Sequence, residues 1–126
     1  MMDFRSFVLL VAGLACLCVD AGAGEADVVE VVVSANDRGG SDFAVTVAHG
    51  DTGWKHYADR WDILDGDGKI LGTRTLHHPH VNEQPFTRSL FGVKIPDLVR
   101  EVTVRAGDSV HEYGGKVVSV ELNGNP

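Results

Sequence analysis

The sequence predicts an all-β fold, an antiparallel β-sandwich of about seven strands. Three observations carry that expectation. Apolar residues recur with period two through much of the chain. Clusters of Gly, Asn, Asp and Pro interrupt them roughly every 8–15 residues. No segment repeats its apolar residues with the period of a helix.

The elements follow in order. Residues 26–34 are rich in valine, whose branched side chains suit a pleated surface. Asn36, Asp37, Arg38, Gly39 and Gly40 are turn residues. In residues 43–49, Phe43, Val45, Val47 and His49 share one face. Residues 50–59 read as a longer loop, and Trp61 and Ile63 flank Asp62 in a third strand. Asp65-Gly66-Asp67-Gly68 is a hairpin signal leading into residues 69–76. As a calcium loop it is too short and lacks the distal glutamate. Residues 77–84 form a loop, residues 85–94 a strand interrupted by Gly92, and Ile95-Pro96-Asp97 a turn. In residues 100–106, Val102, Val104 and Ala106 oppose Glu101, Thr103 and Arg105. Residues 107–115 are a loop, residues 117–122 the last strand, and residues 123–126 a tail.

Residues 1–23 read as a signal peptide rather than as part of this domain. Arg5 precedes an apolar run over residues 7–19, and Ala21-Gly22-Ala23 places cleavage before Gly24. The run is shorter than the roughly 20 residues a membrane span needs, so no membrane insertion is expected after cleavage. Gly13 stands where a lipobox before Cys16 wants Leu or Val, which argues against lipid attachment there. Residues 24–126 then form a single domain with neither cysteine nor methionine. It has no thiolate nucleophile, no sulfur ligand and no disulfide, and a blue-copper centre is excluded. The full chain carries a net charge of −7. That balance repels phosphate backbones and anionic membranes, and no nucleic-acid role is expected.

Strand alternation makes a sharper statement. Successive antiparallel strands place every second loop at the same pole. Loops over residues 50–59, 77–84 and 107–115 share a pole, and they hold His56, His77, His78, His80 and His111. His49 enters the first of them. Imidazole is a common ligand for zinc and copper(II), and nitrogens from separate loops can converge on one ion. In an extended His78-Pro79-His80 the two rings fall on one side of the chain. His56, His78, His80 and His111 are therefore the candidate ligands of a copper or zinc ion. Asp51, Asp59, Glu83, Asp108 and Glu112 stand near as ligands or outer partners. His49, on the apolar phase, reads as a buried, hydrogen-bonded residue, and His77 as solvent-facing. The plainer reading of the same residues is that histidines are common in loops and loops crowd the ends of any sandwich.

Trp54, Tyr57 and Tyr113 suggest an alternative, a recognition surface for a protein, peptide or glycan, with an envelope protein as partner. Trp61 shares the phase of Ile63 and reads as a core cap. Arg88 is expected to pair with a carboxylate such as Asp62 across the sheet. Ser89 and Ser109 lack a nucleophile-elbow pattern, so a serine hydrolase is not expected. The domain reads as a binding domain rather than an enzyme, with a metal-assisted redox or hydrolytic enzyme as the third alternative, which would need an open coordination position.

The strand, loop and strand of residues 101–122 resemble the final hairpin of immunoglobulin and fibronectin type III domains, which implies an immunoglobulin-like sandwich. Residues 50–59, residues 76–90 with His78-Pro79-His80, and residues 108–111 resemble a group of short, uncharacterised bacterial secreted proteins. The likeness runs from about Phe43 onward. It implies export, to a bacterial periplasm, and no particular activity.

Overall fold

A computed structural model describes residues 24–122 and contains seven strands. They are β1 (Asp27–Ala35), β2 (Ser41–Ala48), β3 (Ala58–Leu64), β4 (Ile70–Thr75), β5 (Phe86–Val93), β6 (Glu101–Asp108) and β7 (Val118–Glu121). A three-stranded sheet, β1-β2-β5, packs on a four-stranded sheet, β4-β3-β6-β7. Every pairing is antiparallel. The all-β sandwich expected from the alternation is the observed architecture. In the constant-type immunoglobulin arrangement the fourth strand joins the first sheet; here β4 pairs with β3. The expected signal peptide, residues 1–23, and the expected tail, residues 123–126, lie outside the described residues. Among the described residues no helix is long and apolar enough to cross a membrane.

Period-two faces close the core. Phe43, Val45 and Val47 of β2 are buried together with Trp61 and Ile63 of β3 and Val102, Val104 and Ala106 of β6. Burying each such large side chain contributes about 1.5–3 kcal/mol. In β1 the valine run concealed which side faces in. A register shift between Val28 and Glu30 leaves Val28 buried and Val29 and Val32 exposed. At the far end, the Asp65 carboxylate accepts the amides of Asp67 (2.8 Å) and Lys69 (2.9 Å), and Gly68 takes φ +84°. That is the expected hairpin turn.

Asp62 is buried on the outer face of the four-stranded sheet. Its Oδ1 accepts from Thr73 (2.7 Å), and its Oδ2 accepts from Arg105 Nε (3.0 Å) and the Tyr113 hydroxyl (2.8 Å). The expected Asp62–Arg88 pairing is thus corrected. Asp62 lies on the outer face, whereas Arg88 is on the inward phase of β5, between Phe86 and Leu90.

The predicted gathering of alternate loops occurs. Leu76 N donates to Asp59 O (2.9 Å), Ser109 N to Tyr57 O (3.0 Å), and His80 N to Asp51 Oδ2 (2.7 Å). The segments after β2, β4 and β6 therefore share one pole. β3 starts earlier than its sequence suggests, because Ala58 pairs with Asp108 and donates its amide to Asp51 Oδ1 (3.0 Å).

Two substitutions test this packing. Ile63→Ala should lower unfolding free energy by about 2–5 kcal/mol in denaturant titration, because the cavity opens in the centre of the core. Gly115→Ala should detach the start of β1: an added Cβ would lie 1.9 Å from the Ala26 carbonyl oxygen, which is backbone and cannot turn aside. Hydrogen exchange at the Val28 amide, which donates to Lys116 O, should accelerate in that variant.

Candidate metal centre

The site is built around two carboxylates and the ring between them. His49 follows β2 on the inward phase. Its side chain is fully buried, as are those of Asp51 and Asp108. Its backbone amide donates to Gln84 Oε1 (2.9 Å), and Gln84 Nε2 donates to His80 O (3.0 Å). His49 Nδ1 faces Asp51 Oδ1 at 2.5 Å, and Nε2 faces Asp108 Oδ2 at 2.9 Å. An ionised carboxylate only accepts, so His49 carries hydrogens on both nitrogens and is an imidazolium between two anions.

Asp108 ends β6 and starts a tight turn. Its Oδ1 accepts the amides of Val110 (3.0 Å) and His111 (2.5 Å). Its Oδ2 faces three rings at once: His49 Nε2 (2.9 Å), His56 Nε2 (3.0 Å) and His111 Nδ1 (3.0 Å). The His56 ring centroid lies 4.8 Å from that of His49 and 4.9 Å from that of His111. His49 and Asp108 are enclosed, whereas His56 and then His111 lead outward to solvent.

The charges follow from this geometry. Burial opposes a charged His49, but the hydrogen bonds and charges of Asp51 and Asp108 outweigh it, and its pKa is raised above 6.5. Burial likewise opposes a charged Asp51, yet His49 and the amides of His80 and Ala58 hold its pKa below 3.8. For Asp108 burial is overcome by the side chain and amide of His111, by His56 and by the Val110 amide, and its pKa falls well below the usual carboxylate range.

His49, His56 and Asp108 each present a ligand atom within 4.8 Å of the others, a group that could hold a metal ion. An ion with bonds of about 2.0–2.1 Å in tetrahedral array separates its ligand atoms by about 3.3 Å. The N···O separations here are 2.9 and 3.0 Å, and all three ligand atoms lie within 4.8 Å of one another, so the two rings would have to draw together around an ion. His111 Nδ1 faces the same oxygen at 3.0 Å, outside that group of three.

Of the four ligands expected from sequence, the structure brings His56 and His111 together and places His78 and His80 apart. His80 reaches the centre through its backbone amide alone. Its ring stacks on Phe86 at 3.9 Å, and its Nε2 faces Arg88 Nη2 at 3.0 Å. His78 is exposed, 4.8 Å from the His80 ring. His77 is exposed, as expected. His49 is buried and hydrogen-bonded, as its phase indicated, and it is also a member of the group. Asp108, read as one outer partner among five, is its centre. The signal for both was the strand phase: His49 continues the face of Val45 and Val47, and Asp108 continues that of Val104 and Ala106.

The aromatic residues divide. Trp54 is 67% exposed and stands edge-on to Tyr57 at 5.6 Å. Tyr113 is engaged within the domain, with Arg105 3.7 Å and Arg60 4.7 Å from its ring centre. Its hydroxyl accepts from Arg60 Nε (2.9 Å) and donates to Asp62.

No protein-family model matches the chain, and no solved structure matches it. The chain is 38% identical over 97 residues to a protein named "Putative lipoprotein" from Halomicrobium mukohataei. The match covers 77% of this chain and 47% of that protein, so the chain spans about half the length of the relative it matches.

Two outcomes follow for the metal-free protein. His49 with a raised pKa contributes stability that is complete below pH 6.5 and lost as pH rises through the raised value. Asp51 and Asp108, with lowered values, contribute stability complete above pH 3.8 and lost as pH falls through them. Thermal unfolding should therefore peak between these limits, and His49→Gln should remove the decline on the alkaline side. Asp108→Asn should cost about 3–5 kcal/mol in denaturant unfolding, because it breaks a buried ion pair and leaves an amide group against three ring nitrogens.

Proposed function

We propose that this chain is an exported domain that binds a divalent metal ion, zinc or copper(II), through His49, His56, His111 and Asp108. One observation carries the reading: three imidazole nitrogens from three segments lie within 2.9–3.0 Å of a single carboxylate oxygen. Asp51 supports it from behind. A carboxylate holding the far nitrogen of a ligating histidine fixes its tautomer and orientation, and Asp51 Oδ1 is placed to do that for His49 Nδ1. The ion would take His49 Nε2 after the proton there leaves. Binding is thus coupled to proton release and weakens as pH falls. Nitrogen and oxygen donors without sulfur favour zinc or copper(II) over copper(I).

Export is supported by the leader-like composition of residues 1–23 and by similarity to a protein whose name calls it a lipoprotein. Binding, buffering or delivery of the ion, rather than catalysis, is the role proposed, with a periplasm or equivalent envelope space as its location. A second reading is favoured by Trp54, which stands exposed against Tyr57 on the loop that carries His56. There the domain recognises an envelope partner through these two rings. Partners captured from an envelope extract and lost by Trp54→Ala would favour that role.

Calorimetric titration with Zn(II) and with Cu(II) decides the first reading. His56→Ala and His111→Ala should each weaken binding by about tenfold or more, and a His78→Ala/His80→Ala variant should bind as the parent does. Repeating the titration in buffers of different ionisation enthalpy should reveal released protons. Equal affinity in all variants, or loss only in the His78/His80 variant, would remove the site from His49 and Asp108.

A further inference from the structure

A second set of polar groups lies outside the metal centre. Trp61 Nε1, Arg74 Nε and His80 Nδ1 are buried and have no hydrogen-bond partner among the described residues. Native interiors seldom leave such groups unpaired; Trp61 and Arg74 are neighbours on β3 and β4, and His80 lies in the loop that joins β4 to β5. Trp61 and Arg74 are register partners on β3 and β4, so their side chains share the inner face. β4 edges one sheet and β5 edges the other. Their inner faces meet where a Cβ on Gly72 would lie 3.2 Å from Leu90 Cδ2. β4 runs toward the histidine pole and β5 away from it. Arg74, two residues beyond Gly72, therefore reaches the level of Arg88, two residues before Leu90. Arg88 in turn holds His80.

The hydrogen placement sharpens the picture. A guanidinium only donates. With Arg88 Nη2 at 3.0 Å, His80 Nε2 must accept, and the ring hydrogen sits on Nδ1, the unpartnered atom. Burial, followed by the charges of Arg88 and His78, lowers the His80 pKa, in keeping with a neutral ring. All three orphaned atoms are thus donors. The guanidiniums find little negative charge. Arg88 meets Glu83 Oε1 at 3.4 Å, on a side chain 59% exposed. The remaining bonds go to neighbouring carbonyls: Arg74 Nη1 to Thr75 O (3.3 Å) and Arg88 Nη1 to Thr87 O (2.8 Å).

We propose that the β4–β5 seam is an oxyanion-binding site, in which a carboxylate or phosphate group is held between Arg74 and Arg88 and accepts from Trp61 Nε1 and His80 Nδ1. Two planar guanidiniums and two fixed ring donors match such a group, which only accepts. The site shares no side chain with the metal centre, although the His80 amide is bonded to Asp51 there.

The two tryptophans make the test specific, since each gives one indole N–H signal in a 15N-correlated spectrum. The purified protein is titrated with inorganic phosphate and, separately, with acetate, against chloride at equal ionic strength. Exposed Trp54 is the internal reference, and Trp54→Phe assigns the signals. The Trp61 signal should shift saturably with at least one anion while Trp54 stays in place, and the anion that acts identifies the ligand chemistry. Arg74→Gln and Arg88→Gln should each weaken the effect by about tenfold or more. Arg74→Lys, which keeps the charge and lacks the Nε–H, should also weaken it. Amide dispersion shows that each variant is folded. A Trp61 signal that responds to neither anion beyond chloride, as expected if water alone satisfies these donors, would overturn the proposal. So would equal responses in the parent and the folded arginine variants.

Discussion

The pole of this sandwich depends on one ring held between two buried carboxylates. His49 lies between Asp51 and Asp108, and each carboxylate then gathers chain from elsewhere. Asp51 accepts the amides of Ala58 and His80, which ties the start of β3 and the loop after β4 to the end of β2. Asp108 accepts two amides of its own turn and the rings of His56 and His111. Removing charges from water is costly, and a buried pair holds only where each lone pair and hydrogen finds a partner. Here each His49 nitrogen has a partner, and each oxygen of both carboxylates accepts at least one hydrogen bond. The loops are fixed because the charges must be satisfied.

The same geometry gathers His49, His56 and Asp108 into a group that could hold an ion. Asp108 Oδ2 is surrounded by three nitrogens that tolerate one another only because an anion, or a cation with its own bonds, lies among them. A divalent ion would take over that role, with His49 remaining anchored by Asp51. Of the three rings, His56 and His111 are the ones that reach solvent. On the other side of Asp51, the His80 ring turns away to Arg88. The segment of residues 78–80 therefore belongs to the β4–β5 seam, and only its backbone belongs to the metal centre.

Much of this was legible in the sequence. Period two in residues 43–49 and 100–106 fixed which residues face the core, and alternation of strand direction brought the histidine loops to one pole. The ligand set was harder to read. In His78-Pro79-His80 the His-x-His spacing aligns the two rings, but that alignment does not say what they face. His80 is turned by Phe86 and Arg88, partners that only the packing of β5 against β4 supplies. His49 looked like core because it is core: it is buried and charged together. Asp108 was one acidic residue among several, and nothing local marks it as the residue where a turn, a strand end and three rings coincide. β1 illustrates the same limit in the fold, since five valines give no alternation and a register shift decided which ones are buried.

Long-range 15N–1H correlation of the histidine side chains, recorded with and without one equivalent of zinc, reads the protonation and ligation of each ring. Without metal, His49 should show the paired nitrogen shifts of an imidazolium. With zinc, His49 Nε2, His56 Nε2 and His111 Nδ1 should move to metal-bound positions, while both nitrogens of His78 and His80 keep theirs. Spectra in which the first three rings are unchanged, or in which His78 and His80 respond in their place, would show that His49, His56 and His111 do not hold the ion.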